Sequence, residues 1–416
     1  MSADERHDER QDERQDARPE ARRKLGRGLS ALLGEARREE VDPAFSAREP
    51  IARGDRIADD EQRRRGRLRA RVRGEREQDG REESERQAQV HHGAIVTAGR
   101  IGRMESGTPA ASVIIQTFNR SNILGHVIGS VLAQTRADFE LVVVGDACTD
   151  DTADVVARCG DPRVRFVNLA QNVGDQSGPT NEGVRLARGR YVALLNHDDF
   201  YFPDHLAEAI ATLERTGADF TYTLQLEADP DGSWRVNAAF PRSEFDPMLH
   251  PNASTWVFRR ELFARFGPLV RRDRVFTYPT RDWLWRAYRQ GVTMVPTPAV
   301  TVVVVSATTR RNVYRERQSH EHAAISRAIR EDPGFRERCL VHAWQHPRPT
   351  HLRSYGAGDL WRALAMRAAG RVAIALGIDP EAVYCYHRFP RKWGILPARG
   401  AVIAELYRRR GLAKRP

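Results

Sequence analysis

The sequence is poor in cysteine and methionine and has no long apolar run. Its four cysteines, Cys148, Cys159, Cys339 and Cys385, form no Cys-x-x-Cys pair. That argues against a cysteine zinc site and against a disulfide framework, and it fits a reducing compartment. The first 24 residues are nearly all charged or polar, so they hold no apolar core of a secretory signal. The longest apolar stretch, around Val302–Val305, falls far short of the ~20 residues that span a bilayer. These absences lead us to expect a cytoplasmic chain, peripheral at the inner face of a membrane if it meets one. Glycine is also missing where a phosphate loop would need it. Gln116–Ser121 contains no glycine and one Arg, which argues against a nucleotidyltransferase.

Charge is abundant and unevenly placed. The net charge is +11. Residues 1–108 carry 25 Lys+Arg against 24 Asp+Glu, and residues 109–308 carry 20 against 23. Residues 309–416 carry 22 against 9, so the basic excess belongs to the last quarter. Such a surface is either a solvated Arg-rich helical face or a contact for anionic lipid or another polyanion. No specific nucleic acid is expected.

Residues 1–108 open on a charged repeat and have few large apolar side chains. They cannot bury enough apolar surface to offset ordering entropy, so a disordered tail is expected. One island, Lys24–Glu35, resembles the N-terminal peptide of chromosome-partitioning proteins. Met104 stands just before the first clear strand. Either translation starts there and residues 1–103 are a start-site artefact, or the tail is real.

Residues 109–308 alternate short apolar runs with helical spacing. Strands are expected at Ser112–Thr117, Phe139–Val144, Val164–Asn168 and Tyr191–Leu195. Helices are expected at Ile123–Ala133, Asp151–Arg158, Ser177–Ala187 and Pro203–Arg215. Such alternation indicates a parallel α/β sheet covered on both faces. After Asp219 the pattern is mixed: strands at Phe220–Leu226, Thr255–Phe258, Val292–Val295 and Ala299–Val305, with a helix at Asp282–Gln290. Residues 109–215 then form a nucleotide-binding half and 216–308 an acceptor half. Residues 309–416 form a basic helical extension, with apolar stripes at Leu360–Leu376 and Ala401–Leu406.

Ligands of open α/β sheets bind beyond the C-terminal strand ends. After the first strand stand Gln116, Thr117 and Phe118, able to pack on and hydrogen-bond a nucleobase. After the second stands Asp146, an acceptor for a base N–H or a ribose hydroxyl. After the fourth stand Asn196, His197, Asp198 and Asp199. Adjacent carboxylates suit a hard divalent cation that also takes phosphate oxygens, or else they cap the next helix. Asp282 opens a helix, where the dipole favours an anion, and a carboxylate there can serve as general base. Trp283 and Trp285 either offer a platform for a sugar ring or pack in the core.

In order and spacing these pieces resemble the family 2 inverting glycosyltransferases of the GT-A fold. The pieces are Ser112–Arg120, Gln134-Thr135, Phe139–Asp146, Asn172–Gly174, Asn181–Gly183, Ala187–Gly189, Leu195–Asp199, Phe263–Gly267 and Arg281–Trp283. They cover about half the chain. The resemblance implies a Rossmann-like mixed sheet with helices on both faces and a nucleotide-diphosphate sugar as donor. It implies Mg2+ or Mn2+ as cofactor, and a carbohydrate or lipid-linked acceptor. Gln116, Phe118 and Asp146 match the nucleoside pocket. Asp198 matches the ribose-side acid, Asp199 the metal-binding acid and Asp282 the general base.

The chain departs from that pattern in places. Gly145-Asp146 holds one acid where a pair is usual, Asn196-His197 replaces a more acidic lead-in, and Thr180 stands where Arg is frequent. No basic, His-containing loop is clear after Val305; His320 or His322 is the candidate to complete the metal site. The Gln-x-x-Arg-Trp signature of processive synthases is absent, which favours single addition. The alternative reading is a non-catalytic binding protein on a degenerate site, using the N-terminal island and a basic C-terminus that faces a polyanion or membrane.

Overall fold

The computed structural model describes residues 107–237, 245–275, 277–305, 310–346, 357–381, 408 and 410–412. All belong to the second of two compact units, His92–Pro416. The Lys24–Glu35 island, residues 1–106 of the expected tail and the Ala401–Leu406 stripe lie outside the described residues.

Strand β1 (Ala111–Thr117) is followed by α1 (Ser121–Leu132), β2 (Phe139–Gly145), α2 (Thr152–Ala157) and β3 (Val164–Asn168). Then come α3 (Ser177–Leu186), β4 (Tyr191–Asn196), β5 (Phe200–Tyr201) and α4 (His205–Thr216). The next part supplies β6 (Phe220–Ala228), β7 (Trp234–Asn237), β8 (Trp256–Arg259), α5 (Glu261–Phe266), α6 (Pro279–Arg289) and β9 (Met294–Val304). The basic region adds α7 (Val313–Glu316), α8 (His320–Glu331), α9 (Phe335–Gln345) and α10 (Ala357–Ala375).

The strands join one mixed sheet in the order β3-β2-β1-β4-β8-β6-β9-β5, with β7 beside β6. Strands β1 to β4 pair in parallel, and β8 runs antiparallel to both β4 and β6. The two runs expected at Val292–Val295 and Ala299–Val305 form one strand, β9. Pro296 and Pro298 between them lack amide donors, and the β6–β9 pairing shifts register at Thr223–Gln225. A bulge there tolerates prolines that a regular central ladder would not.

Alternate residues of each central strand feed opposite cores, because successive side chains point to opposite faces. Val113, Ile115, Leu141 and Val143 pack with Leu124, Val127, Ile128 and Val131 of α1. Ile114, Val142 and Val144 pack on the other face with Val184 of α3 and Trp283 and Leu284 of α6. Ile325 of α8 and Cys339 of α9 join the first core, so part of the basic region packs on the sheet.

Two glycines set close approaches. A Cβ on Gly183 would stand 2.3 Å from Cγ2 of Ile114, and one on Gly189 would stand 2.5 Å from the backbone of Ala111–Ser112. One buried acid ties the parallel strands together. Glu140 of β2 accepts hydrogen bonds from Ser112 Oγ (2.6 Å), the Arg188 amide (2.6 Å) and Arg165 (2.9 Å). Burial alone would raise its carboxyl, but these donors hold it below the usual range.

Candidate active site

Strands β1, β2 and β4 are parallel and end at the same edge of the sheet, so their following residues converge. There a cavity of about 460 Å³ opens. Of the sequence candidates, Gln116, Thr117, Phe118, Asp146, Asp198 and Asp199 all line it. The backbone at the tips is unusual: Asn119 and Ala147 sit at φ 49° and 56°. Non-glycine residues in that region store strain, and such strain tends to collect at functional sites.

Two buried acceptors in the wall have no partner. The Gln116 amide donates to Asn196 Oδ1 (2.6 Å), which leaves its own Oε1 unpaired. Thr117 Oγ1 is likewise buried and unpaired. Each orphan costs about 1–3 kcal/mol unless a ligand or water satisfies it.

Four carboxylates line the cavity: Asp146, Asp175, Asp198 and Asp199. Three are occupied by the protein itself. Asp146 accepts from the amides of Val173 (2.7 Å) and Gly174 (2.9 Å) and so shapes the 172–174 turn. Asp175 accepts from the amides of Ser177 (2.7 Å) and Arg272 (2.9 Å). Asp199 accepts from Ser254 Oγ (2.5 Å), Asn196 Nδ2 (2.9 Å) and the Val305 amide (3.1 Å). Asp198 is different, because no described residue donates a hydrogen bond to its carboxylate.

Electrostatics separates the adjacent pair further. Burial, then the charge of Asp198, pushes the Asp199 carboxyl up to about 7. Burial acts against ionised Asp198 too, but His197, Arg410, Arg120 and His322 hold it below the usual carboxylate range. By its hydrogen bonds Asp199 is the anchored acid of the pair, and Asp198 is the one with no described donor.

A divalent cation fits this donor set in a restricted way. Among the described residues no group of three His, Cys, Asp or Glu side chains could hold a metal ion. Mg2+-like ions, however, bind through one or two carboxylates plus substrate phosphates and waters. Asp198 offers that single carboxylate. His322, one of the histidines considered for a further ligand, is buried against Phe200, and burial pulls its imidazole down to about 4. It is not in the cavity wall.

The structure does not bring Asp282 to the cavity. Its carboxylate accepts from Arg286 Nε (2.9 Å), one turn along α6. Thr280 of the same helix bonds the cavity residue Gln176 (3.3 Å), and two residues on is about 200° around a helix. Trp283 and Trp285 are both buried, Trp283 stacking on Trp256, so neither is a sugar platform.

Residues 112–267 match the family described as Glycosyl transferase family 2. The chain carries a family 2 glycosyltransferase domain. Its mixed sheet, parallel from β1 to β4 and antiparallel at β8, is the architecture that the family resemblance implies. Succinoglycan biosynthesis protein ExoO of Rhizobium meliloti is 37% identical over 110 residues, covering 26% of this chain and 31% of ExoO. The Escherichia coli protein WfaP, a UDP-Glc:alpha-D-GlcNAc-diphosphoundecaprenol beta-1,3-glucosyltransferase, is 29% identical over 112 residues, covering 27% of this chain and 44% of WfaP. The match thus spans 31% and 44% of these two relatives' own length. Among solved structures, the mannosyltransferase PcManGT of Pyrobaculum calidifontis with GDP-Man and Mn2+ aligns at TM-score 0.40 and 19% identity. That alignment covers 76% of this chain and 88% of PcManGT.

The family 2 domain gains cavity walls that sequence reading missed. Tyr314, Arg410 and Leu412 come from the basic region, Pro179 from the first turn of α3, Arg272 from a 3-10 turn, and Asn172, Asp175, Gln176 and Asn252 from connecting segments. Tyr314 sits on α7, bracketed by Asn312 and Arg317 at φ 55° and 49°. Arg317 donates to the Asn119 carbonyl (3.2 Å), Asp150 (3.2 Å) and Ser121 Oγ (2.7 Å). Asn122 donates to the Arg317 carbonyl (2.9 Å). These bonds dock the segment over the tip of β1 and set Tyr314 6.4 Å from Phe118, ring to ring. The only sequence signal was the Arg-rich run Arg310–Arg317, which reads as solvated surface. Among the described residues, no helix is long and apolar enough to cross a membrane.

Proposed function

We propose that this domain transfers a glycosyl group from a nucleotide-diphosphate sugar to an acceptor hydroxyl, with inversion and with Mg2+ or Mn2+. The observation that carries the reading is one cavity at the ends of β1, β2 and β4 that holds orphaned acceptors and one uncommitted carboxylate. Its volume falls within the roughly 300–1,000 Å³ of small-molecule sites.

On this reading Gln116 Oε1 and Thr117 Oγ1 accept from the nucleoside, and Phe118 and Tyr314 form the aromatic side. Asp146 shapes the pocket through the 172–174 turn rather than meeting the base directly. Asp198 holds the cation, and Asp199 fixes the strand tip behind it. The cation would offset charge that builds on the departing diphosphate. No step is assigned to Asp282, whose carboxylate Arg286 holds outside the cavity wall. WfaP is named for a lipid-diphosphate acceptor. A carbohydrate or lipid-linked acceptor is proposed here by that likeness, reached by a chain peripheral at the inner membrane face through its basic C-terminus.

Thermal unfolding of the full chain tests the reading. UDP, GDP, CDP and dTDP are each added with and without Mn2+. A ligand that binds only the folded state raises its apparent stability. One nucleotide giving a metal-dependent shift is the expected result and identifies the base. A cooperatively folding chain that none of them shifts would sink the reading and favour a binding protein on a degenerate site.

A further inference from the structure

The far end of the chain returns to the cavity. Arg410 and Leu412 line the same walls as Asp198 and Tyr314. Gly411 between them, at φ +78°, lies against Asn312 and Arg315, so the segment rests on α7 and its flank. The guanidinium of Arg410 has a buried Nε with no hydrogen-bond partner. Its charge acts on Asp198, Arg120 and Tyr314, yet no hydrogen bond joins it to any of them.

That arrangement is costly without a ligand. Arg120 is already buried beside it, donating to the Val313 carbonyl (2.5 Å) with its guanidinium 5.2 Å from the Tyr314 ring. A second cation here repels the first, and a buried donor without an acceptor loses the strength of a charge-assisted bond. A planar guanidinium presents its donors in a fork that matches phosphate oxygens. An anion in the cavity would satisfy Arg410 and relieve the repulsion, while Asp198 beside it faces a cation.

We propose that Arg410 binds the diphosphate of the donor, so that the C-terminal segment completes the donor site. The inference rests on the proposed nucleotide-sugar reading. Its consequence is specific: nucleoside recognition belongs to the strand tips, and part of diphosphate recognition belongs to a residue almost 300 positions later in the chain.

Isothermal titration of the full-length protein separates the two. Whichever of UDP, GDP, CDP and dTDP binds wild type is compared with its own nucleoside, in Mn2+, for wild type, Arg410→Ala and Arg410→Lys. The nucleotide that binds wild type should lose tenfold or more in affinity with Arg410→Ala. Its nucleoside should stay within about twofold, and Arg410→Lys should recover part of the loss. Equal diphosphate affinity in wild type and Arg410→Ala would overturn the inference and leave the proposed function standing. Parallel losses for nucleoside and diphosphate would also overturn it, since Arg410 would then only support the cavity's shape. Wild type binding none of the four would defeat both.

Discussion

The cavity has two walls of different origin. One is made by the tips of β1, β2 and β4, where the parallel ladder pairs Gln116 with Val144 and Asn196 and leaves Asp146 and Asp198 just beyond the strand ends. The other is made by residues after β9: side-chain bonds from Arg317 hold the segment that carries Tyr314, and Arg410 and Leu412 join it in the cavity wall. The first wall inherits its geometry from the core. The second is added by chain that folds back onto that edge. On the proposed reading the nucleoside belongs to the first wall and part of the diphosphate to the second.

The largest expected effect falls on the tie between the domain and its late chain. Arg281 is 2% exposed, and it donates to Asp379 (2.7 Å), the Leu249 carbonyl (2.7 Å) and the Pro247 carbonyl (2.7 Å). Removing one partner of a buried pair costs about 3–5 kcal/mol. Arg281→Ala should therefore lower the unfolding free energy by that order, read by denaturant titration. A loss under about 1 kcal/mol would mean that the late chain is not anchored there.

The strand wall is probed by Gly183→Ala. The new methyl would meet Ile114 in the second core, and overpacking of this kind costs about 1–3 kcal/mol. Unchanged stability would show that α3 can slide without cost and that the first wall is less rigid than argued.

A third test uses pH. His205 is fully buried, its Nδ1 2.8 Å from Thr301 Oγ1, and burial pulls its imidazole down to about 3. The unfolded chain takes up this proton near pH 6.5 and the folded chain does not. Stability from this group is therefore complete above 6.5 and is lost as pH falls toward 3, by ~1.4 kcal/mol per pH unit. Denaturant titrations at pH 7, 6 and 5 should show a shallower slope for His205→Asn than for wild type. Equal slopes would place the proton-linked strain elsewhere.

The smallest effect belongs to the Tyr314 hydroxyl. It stands 3.4 Å from His197 Nε2, a long contact. Tyr314→Phe should change nucleotide affinity by less than about fivefold, whereas Tyr314→Ala should cost more because it removes the ring beside Phe118. Equal losses would make the hydroxyl, not the ring, the working part.

The first wall was legible in the sequence because β-strand periodicity places tip residues without knowledge of packing. Gln116, Thr117, Phe118, Asp146, Asp198 and Asp199 all reached the cavity from that reasoning alone. What the pattern did not reveal was which carboxylate is spent. Asp199 and Asp198 are neighbours in sequence, and only Ser254 and the Val305 amide, from distant segments, separate their roles. Asp282 was placed at a helix start correctly, but its direction around the helix depends on where α6 docks. The second wall was illegible because an Arg-rich run looks the same whether it faces water or a ligand.

The central claim is that Asp198 alone among the cavity carboxylates faces the ligand. The most direct measurement is calorimetric titration of the stabilising nucleotide, with and without Mn2+, into folded Asp198→Asn and Asp199→Asn proteins. The account predicts that Asp198→Asn loses the metal-dependent part of the affinity, by ~100-fold or about 3 kcal/mol, at near wild-type stability. Asp199→Asn should keep a metal-dependent increment while losing stability. Full metal-dependent binding by Asp198→Asn, with its loss in a folded Asp199→Asn protein, would contradict it.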